Sequence, residues 1–123
     1  MGNAVGKVVW TDLTVPDAVQ IRDFYSQVVG WEFQAVEMGD YADFNMMAPG
    51  ATEPAAGICH TRGTNAALPA QWLIYITVAD FDQAIARTLA LGGKLLVEPK
   101  AISDTQRYAV IQDPAGAIAA LLG

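Results

Sequence analysis

Asp12, Asn45, His60, Tyr75, Arg107 and Tyr108 are the side chains whose types and settings suit them to chemistry, and each also has a plainer use. Asp12 lies two residues from Trp10 in the apolar run KVVWTDLTV. A carboxylate there suits a general base, or an anchor for a cationic ligand, with its pKa raised by the indole and the apolar wall. The plainer reading is a half-exposed acid bonded to a nearby amide or tyrosine. Tyr75, in WLIYITV, suits donation to a ligand carbonyl, or simply supplies buried area. Trp10 either stacks on a flat ligand or fills space. Arg107 could clamp a carboxylate or pair with the abundant surface acids, and one of Arg107 and Tyr108 should point inward. Asn45 sits in YADFNMMA, whose pattern leaves its facing undecided. His60, the only histidine, is a minor acid or base candidate, but a position at a strand end beside a linker predicts a solvent-facing ring without a role. Cys59 reads as a small buried hydrophobe, with no base paired to it that would make a nucleophile.

These residues must be positioned by elements, and the elements occur twice. KVVWTDLTV is β-branched and aromatic, and Pro16-Asp17 ends it. Asp17 with Gln20 forms a relative of the capping box. Ile21, Phe24, Tyr25 and Val28 then recur at helical spacing, and Gly30 stops the helix. WEFQAVEM, YADFNMMA and AAGICH follow as three short strands, then the polar linker 61–70. The plan repeats: WLIYITV, a helix capped by Asp80 with Gln83 and carrying Phe81, Ala84, Ile85 and Leu89, a stop at Gly92-Gly93, and the strands KLLVEP, RYAVIQ and AIAALL.

A shift of 63 superposes Leu13 on Ile76, Thr14 on Thr77, Asp17 on Asp80, Gln20 on Gln83 and Gly30 on Gly93. The predicted fold is α+β: two tandem β-α-β-β-β modules, 1–60 and 71–123, forming a single domain whose curved mixed sheet surrounds a cleft. One helix covers only one face of a four-stranded sheet, so half the repeat cannot enclose a site alone. If Trp10 faces the cleft, alternation brings Asp12 and Thr14 with it, and if Leu73 does, Tyr75 and Thr77 follow. Val9, Leu13, Val15, Trp72, Ile74, Ile76 and Val78 then cover the helices.

The 123 residues suffice for one domain with a substantial core. Acids outnumber bases 13 to 7 and the basic positions are scattered, which argues against a nucleic-acid partner and favours a cationic or neutral ligand. At 53% apolar and 16% charged the composition leaves surface for a partner, and a homodimer is expected. No apolar run is long enough for a membrane span. A single cysteine and the absence of a signal-peptide pattern at the start predict a cytoplasmic location.

With LTVPDAVQIRDFYSQVVGWEF near the start and QDPAGAIAALL at the end, the chain resembles the vicinal oxygen chelate superfamily, which holds glyoxalase I, bleomycin resistance proteins and extradiol dioxygenases. WLIYITVADFDQAIARTLALGGKLLVEP resembles more narrowly the bacterial proteins described as related to lactoylglutathione lyase. Metal-binding members draw one ligand from the first strand and one from the fourth strand of each module. The resemblance places those positions on Trp10, Leu73, Ala120 and near Gly57, none of which carries a donor side chain. A register slip would substitute Thr11, Cys59 or His60.

The resemblance therefore implies a protein without a cofactor that binds a small, largely apolar or cationic molecule in a metal-free cleft lined by Trp10, Asp12, Asn45, Leu73, Tyr75, Arg107 and Tyr108, with or without catalysis. The alternative is a metal-dependent lyase or dioxygenase that uses a divalent ion, with Asp12, His60 and a residue from a second chain as ligands. A third possibility is an interaction module whose cleft is filled by its own side chains.

Overall fold

A computed structural model describes residues 4–123, which divide into two compact units. One is Thr11–Trp72. The other joins the described residues up to Trp10 to Leu73–Gly123. Gly6 N–H donates to the Thr77 carbonyl at 2.8 Å and Thr77 N–H to the Lys7 carbonyl at 3.0 Å, which ties the start of the chain to the second unit. The Thr77 hydroxyl donates to the Ala4 carbonyl, adding a side-chain tie. Within the predicted linker, Gly63–Asn65 forms a single 3₁₀ turn.

The first unit contains most of β1 (Val8–Val15), α1 (Ala18–Val29), β2 (Glu32–Glu37), β3 (Ala42–Met47) and β4 (Pro54–His60), with strand order β2-β3-β4-β1. β1 runs parallel to β4, and the other neighbours are antiparallel. α1 starts where expected: the Asp17 carboxylate accepts from Gln20 N–H at 3.0 Å, filling an amide with no partner inside the helix. Gly30 ends it at φ 79°, a conformation that costs a residue without Cβ nothing.

α1 lies on β4, β3 and β2. Leu13, Val15, Ala18, Phe44, Met46 and Ile58 form the core beneath it, joined by Ile21, Tyr25, Trp31 and Trp72. Trp72 Nε1–H donates to the Tyr25 hydroxyl at 3.1 Å, and the two rings meet edge to face at 5.3 Å. The predicted apolar stripe is corrected here. Phe24 and Val28 are 54% and 62% exposed, because the row facing the sheet is Ile21, Arg22 and Tyr25. The Arg22 guanidinium lies 4.1 Å from the Phe33 ring centre and 4.7 Å from that of Phe44, roofing the sheet where an apolar side chain would otherwise be expected.

The second unit contains β5 (Trp72–Thr77, from Leu73 on), α2 (Phe81–Ala90), β6 (Lys94–Ala101), β7 (Arg107–Gln112) and β8 (Ile118–Leu122), with order β5-β8-β7-β6. Asp80 caps α2 through Gln83 N–H at 3.0 Å, as Asp17 caps α1. Phe81, Ala109 and Leu121 form the core on that side with Val78, Ala84, Ile85, Leu95 and Ile111. Leu89 and Ile74, both expected against a helix, are instead exposed.

The repeat is visible in the hydrogen-bond register. Asp12 pairs with Gly57 and Tyr75 with Ala120, and Thr14 pairs with Cys59 and Thr77 with Leu122, each related by the same shift of 63. Opposite Ile58 stands Phe44, while opposite Leu121 stands Ala109, so β3 and β7 are related by 65. The two extra residues lie between the helix and the third strand, outside the pairing shared by first and fourth strands.

Candidate functional site

A β-strand sends alternate side chains to opposite faces, so covering one face of the first sheet with α1 assigns the rest to the other. Phe44, Met46 and Ile58 are spent under the helix. That fixes the undecided facing of β3: Asp43 and Asn45 lie on the face away from α1. The register then sets a row across that face from Asp12 on β1 through Gly57 on β4 and Asn45 on β3 to Gln34 on β2. A second row, one step along, runs from Thr14 through Cys59 to Asp43. Two carboxylates, an amide pair, a hydroxyl and a thiol are thereby gathered on one sheet surface.

The acids leave a signature on the thiol between them. Burial, and then the charges of Asp12 and Asp43 together with a hydrogen bond to Asp43, push the Cys59 pKa up to about 12. Each cause disfavours a thiolate, so Cys59 stays protonated and does not act as a nucleophile at neutral pH. It is half-buried and spent as a small hydrophobe, in line with the sequence reading. His60 differs from its expected solvent-facing place. Its backbone N–H donates to Asp43 Oδ1 at 2.9 Å, Nδ1 lies 3.3 Å from the same oxygen, and its ring packs edge-on to Tyr41 at 5.6 Å. Asp43 therefore joins two strands through its side chain.

On the second sheet the face away from α2 carries Leu73, Tyr75 and Thr77, continued through Ala120, Val110 and Val97 in one row and through Leu122 and Tyr108 in the next. Tyr75 and Tyr108 meet with ring centres 6.2 Å apart. Leu73, Tyr75 and Thr77 are buried and Tyr108 is half-buried. Arg107 leaves this group. Its guanidinium bonds Asp82 at 3.1 Å and stacks over Phe81 at 4.6 Å, both on α2, which is the surface pairing expected as the alternative to a carboxylate clamp. Trp10 is half-buried and shares by alternation the strand face of Asp12.

Of the residues named from the sequence, Asp12 and Asn45 lie on the first sheet's face away from α1 and Tyr75 and Tyr108 on the second sheet's face away from α2, while Asp43, beside Asn45, was not named. The signal was present: an aspartate inside a six-residue strand is unfavourable unless its carboxylate has work there, and alternation ties its facing to Asn45. The positions at which the resemblance places metal ligands, Trp10, Leu73, Ala120 and near Gly57, carry no donor side chain. Gly57 and Ala120 stand on the fourth strands opposite Asp12 and Tyr75, and among the described residues no three of His, Cys, Asp and Glu are grouped so as to hold an ion. No helix among the described residues is long and apolar enough to cross a membrane.

The chain is 30% identical over 120 residues to a Mycobacterium tuberculosis protein named "Putative glyoxylase CFP32", covering 98% of this chain and 45% of that one. It is 28% identical over 125 residues to the anthracycline biosynthesis protein DnrV of Streptomyces peucetius, covering 93% and 46%. The chain thus spans a little under half the length of these relatives. Among solved structures, a glyoxalase/bleomycin resistance protein/dioxygenase superfamily member from Vibrio splendidus matches with a TM-score of 0.61 at 18% identity, covering 94% of this chain and 98% of that one. A methylmalonyl-CoA epimerase from Mycobacterium tuberculosis matches with a TM-score of 0.59 at 18% identity, covering 99% and 91%. At such identities the likeness is one of fold. The family profile of these proteins matches residues 7–120, and with the paired modules and their shared register it establishes that the chain belongs to the glyoxalase/bleomycin resistance protein/dioxygenase superfamily.

Proposed function

We propose that this superfamily member binds a small, largely apolar or cationic molecule without a metal ion, using the acid-bearing face of its first sheet, and that it does so as a homodimer. The observation that carries this reading is the grouping of Asp12, Asp43 and Asn45 around Cys59, on a surface negative and dry enough to hold that thiol protonated to about 12. Carboxylates in such a setting attract a cation more strongly than they would in water, because less solvent competes for the charge. Asn45 adds an amide able to donate and accept, which orients a polar edge of the guest. The second unit's own face carries Leu73, Tyr75 and Tyr108 and is apolar and phenol-bearing, the character of a surface that takes uncharged ring systems.

The metal-free part of the reading rests on the donor set: four family positions occupied by Trp10, Gly57, Leu73 and Ala120. Elemental analysis of protein purified without chelator is expected to show no stoichiometric Zn, Ni, Fe or Mn. One ion per chain would replace this reading with the metal-dependent lyase or dioxygenase. A relative named for anthracycline biosynthesis makes an anthracycline, a flat ring system with a basic amino sugar, a reasonable first probe. Calorimetric titration should detect binding, weakened about tenfold or more in D12N or D43N if a desolvated charge pair is lost. Equal binding by both variants and the wild type would remove this face from the function. Native mass spectrometry should give twice the 13.1 kDa of one chain, and a monomer would remove the dimer.

A further inference from the structure

Behind the first sheet, on the side that carries α1, lies a groove of about 320 Å³ that belongs to neither set of site residues described above. Leu13 and Val15 form its floor, Ile21, Phe24 and Tyr25 of α1 one wall, and Ala70, Gln71 and Trp72 the other. No lining residue is an acid or a base, in a chain whose net charge is −6. The groove is therefore a neutral, aromatic recess in an acidic protein, and a charged guest would lose its hydration there without compensation. Its volume stands at the lower end of the range of small-molecule pockets, enough for about ten to fifteen heavy atoms.

Polar side chains in its walls include Tyr25 and Gln71, and the Tyr25 hydroxyl gives the groove direction. The Tyr25 hydroxyl accepts from Trp72 Nε1–H at 3.1 Å. A hydroxyl that already accepts one bond is polarised toward donating another. Phe24, 54% exposed on the wall, explains itself as apolar surface held ready for a guest better than as part of the core.

We propose that this groove is a second binding site, for a neutral, planar molecule of about ten to fifteen heavy atoms that bears a carbonyl, with the Tyr25 O–H donating to that oxygen and the Phe24 and Trp72 rings packing on its faces. The site is independent of the acid-bearing face, since it lies on the opposite side of the same sheet.

The test uses two probes that differ in the carbonyl alone: 2-acetylnaphthalene and 2-ethylnaphthalene. Binding is followed by saturation-transfer NMR and by the Trp72 indole N–H resonance, assigned with W72F. The acetyl compound should bind the wild-type chain more tightly than the ethyl compound. A70W, a change at an exposed position, fills the groove and should weaken both about tenfold or more. Y25F should weaken the acetyl compound about fivefold and leave the ethyl compound unchanged, the result of one lost hydrogen bond. D12N should change neither, which separates this site from the proposed function. Failure of both probes to bind, binding that A70W leaves intact, or a Y25F effect equal for the two probes would overturn the proposal. Thermal melts confirm that each variant is folded.

Discussion

Asp43 holds three groups at once: the backbone and ring of His60, and the Cys59 thiol. Its charge raises the cost of a thiolate beside it, and so does that of Asp12, though burial contributes most. A pKa of about 12 against an ordinary 9.0 leaves roughly a thousandfold less thiolate at pH 8 than in an unburied cysteine. Alkylation by iodoacetamide at pH 8 should therefore be slow in the native chain and faster in D43N, which removes the charge and exchanges one of the two acceptor oxygens for an amide donor. D12N, which removes the charge that ranks next after burial, should also speed it, and a native rate equal to that of free cysteine would refute the account. The linkage has a definite sign. Because the folded-state value lies above the unfolded one, this stabilising contribution is fully present below about pH 9 and is lost as pH rises toward 12. C59A should flatten that part of the stability profile. At this scale the sequence was legible where alternation decided, as for Asp12 and Tyr75. It was not where a side chain crosses between strands, because the Asp43–His60 contact joins residues 17 apart whose register no local pattern announces.

Two helices with the same cap and different endings show what an element encodes by itself. Asp17 and Asp80 each accept the amide three residues on, and both caps were readable because they are local. D17A and D80A should each cost about 1 kcal/mol, measured by urea unfolding, with exposed sites keeping the loss within that range. The stops differ. Gly30 is needed for its left-handed φ, whereas Gly93 is needed for room: a Cβ there would stand 2.8 Å from Thr88 Cγ2 and 2.9 Å from the carbonyl oxygens of Thr88 and Gln112. Backbone atoms on two elements cannot both yield, so G93A should destabilise by about 1–3 kcal/mol, more than either cap variant. A G93A chain as stable as the wild type would show that the turn after α2 adjusts freely. What periodicity did not give was the buried row of α1. Phe24 and Val28 fit a helical stripe as well as Ile21 and Tyr25 do. Only the placement of the sheet, with Arg22 laid over Phe33 and Phe44, decides which row is covered.

The chain as a whole carries 13 acids against 7 bases, and the repeat distributes its chemistry unevenly. The shift of 63 that relates Asp12 to Tyr75 and Gly57 to Ala120 was legible because it is written in strands, caps and stops together. The residue types at those equivalent places diverge, so the first unit presents carboxylates where the second presents a phenol. An acidic molecule with two carboxylates on one desolvated face should draw a cationic guest by long-range attraction as well as contact. Long-range attraction is screened, with a Debye length of about 30 Å at 10 mM salt and about 10 Å at 0.1 M. Binding of a cationic anthracycline should therefore weaken about three- to tenfold between those conditions, while an N-acetylated, neutral form should bind with little dependence on salt. The difference in slope between the two isolates the charge from the aromatic surface they share. Equal slopes would mean that the acids on this face do not act on the guest, and its recognition would then rest on apolar contact alone.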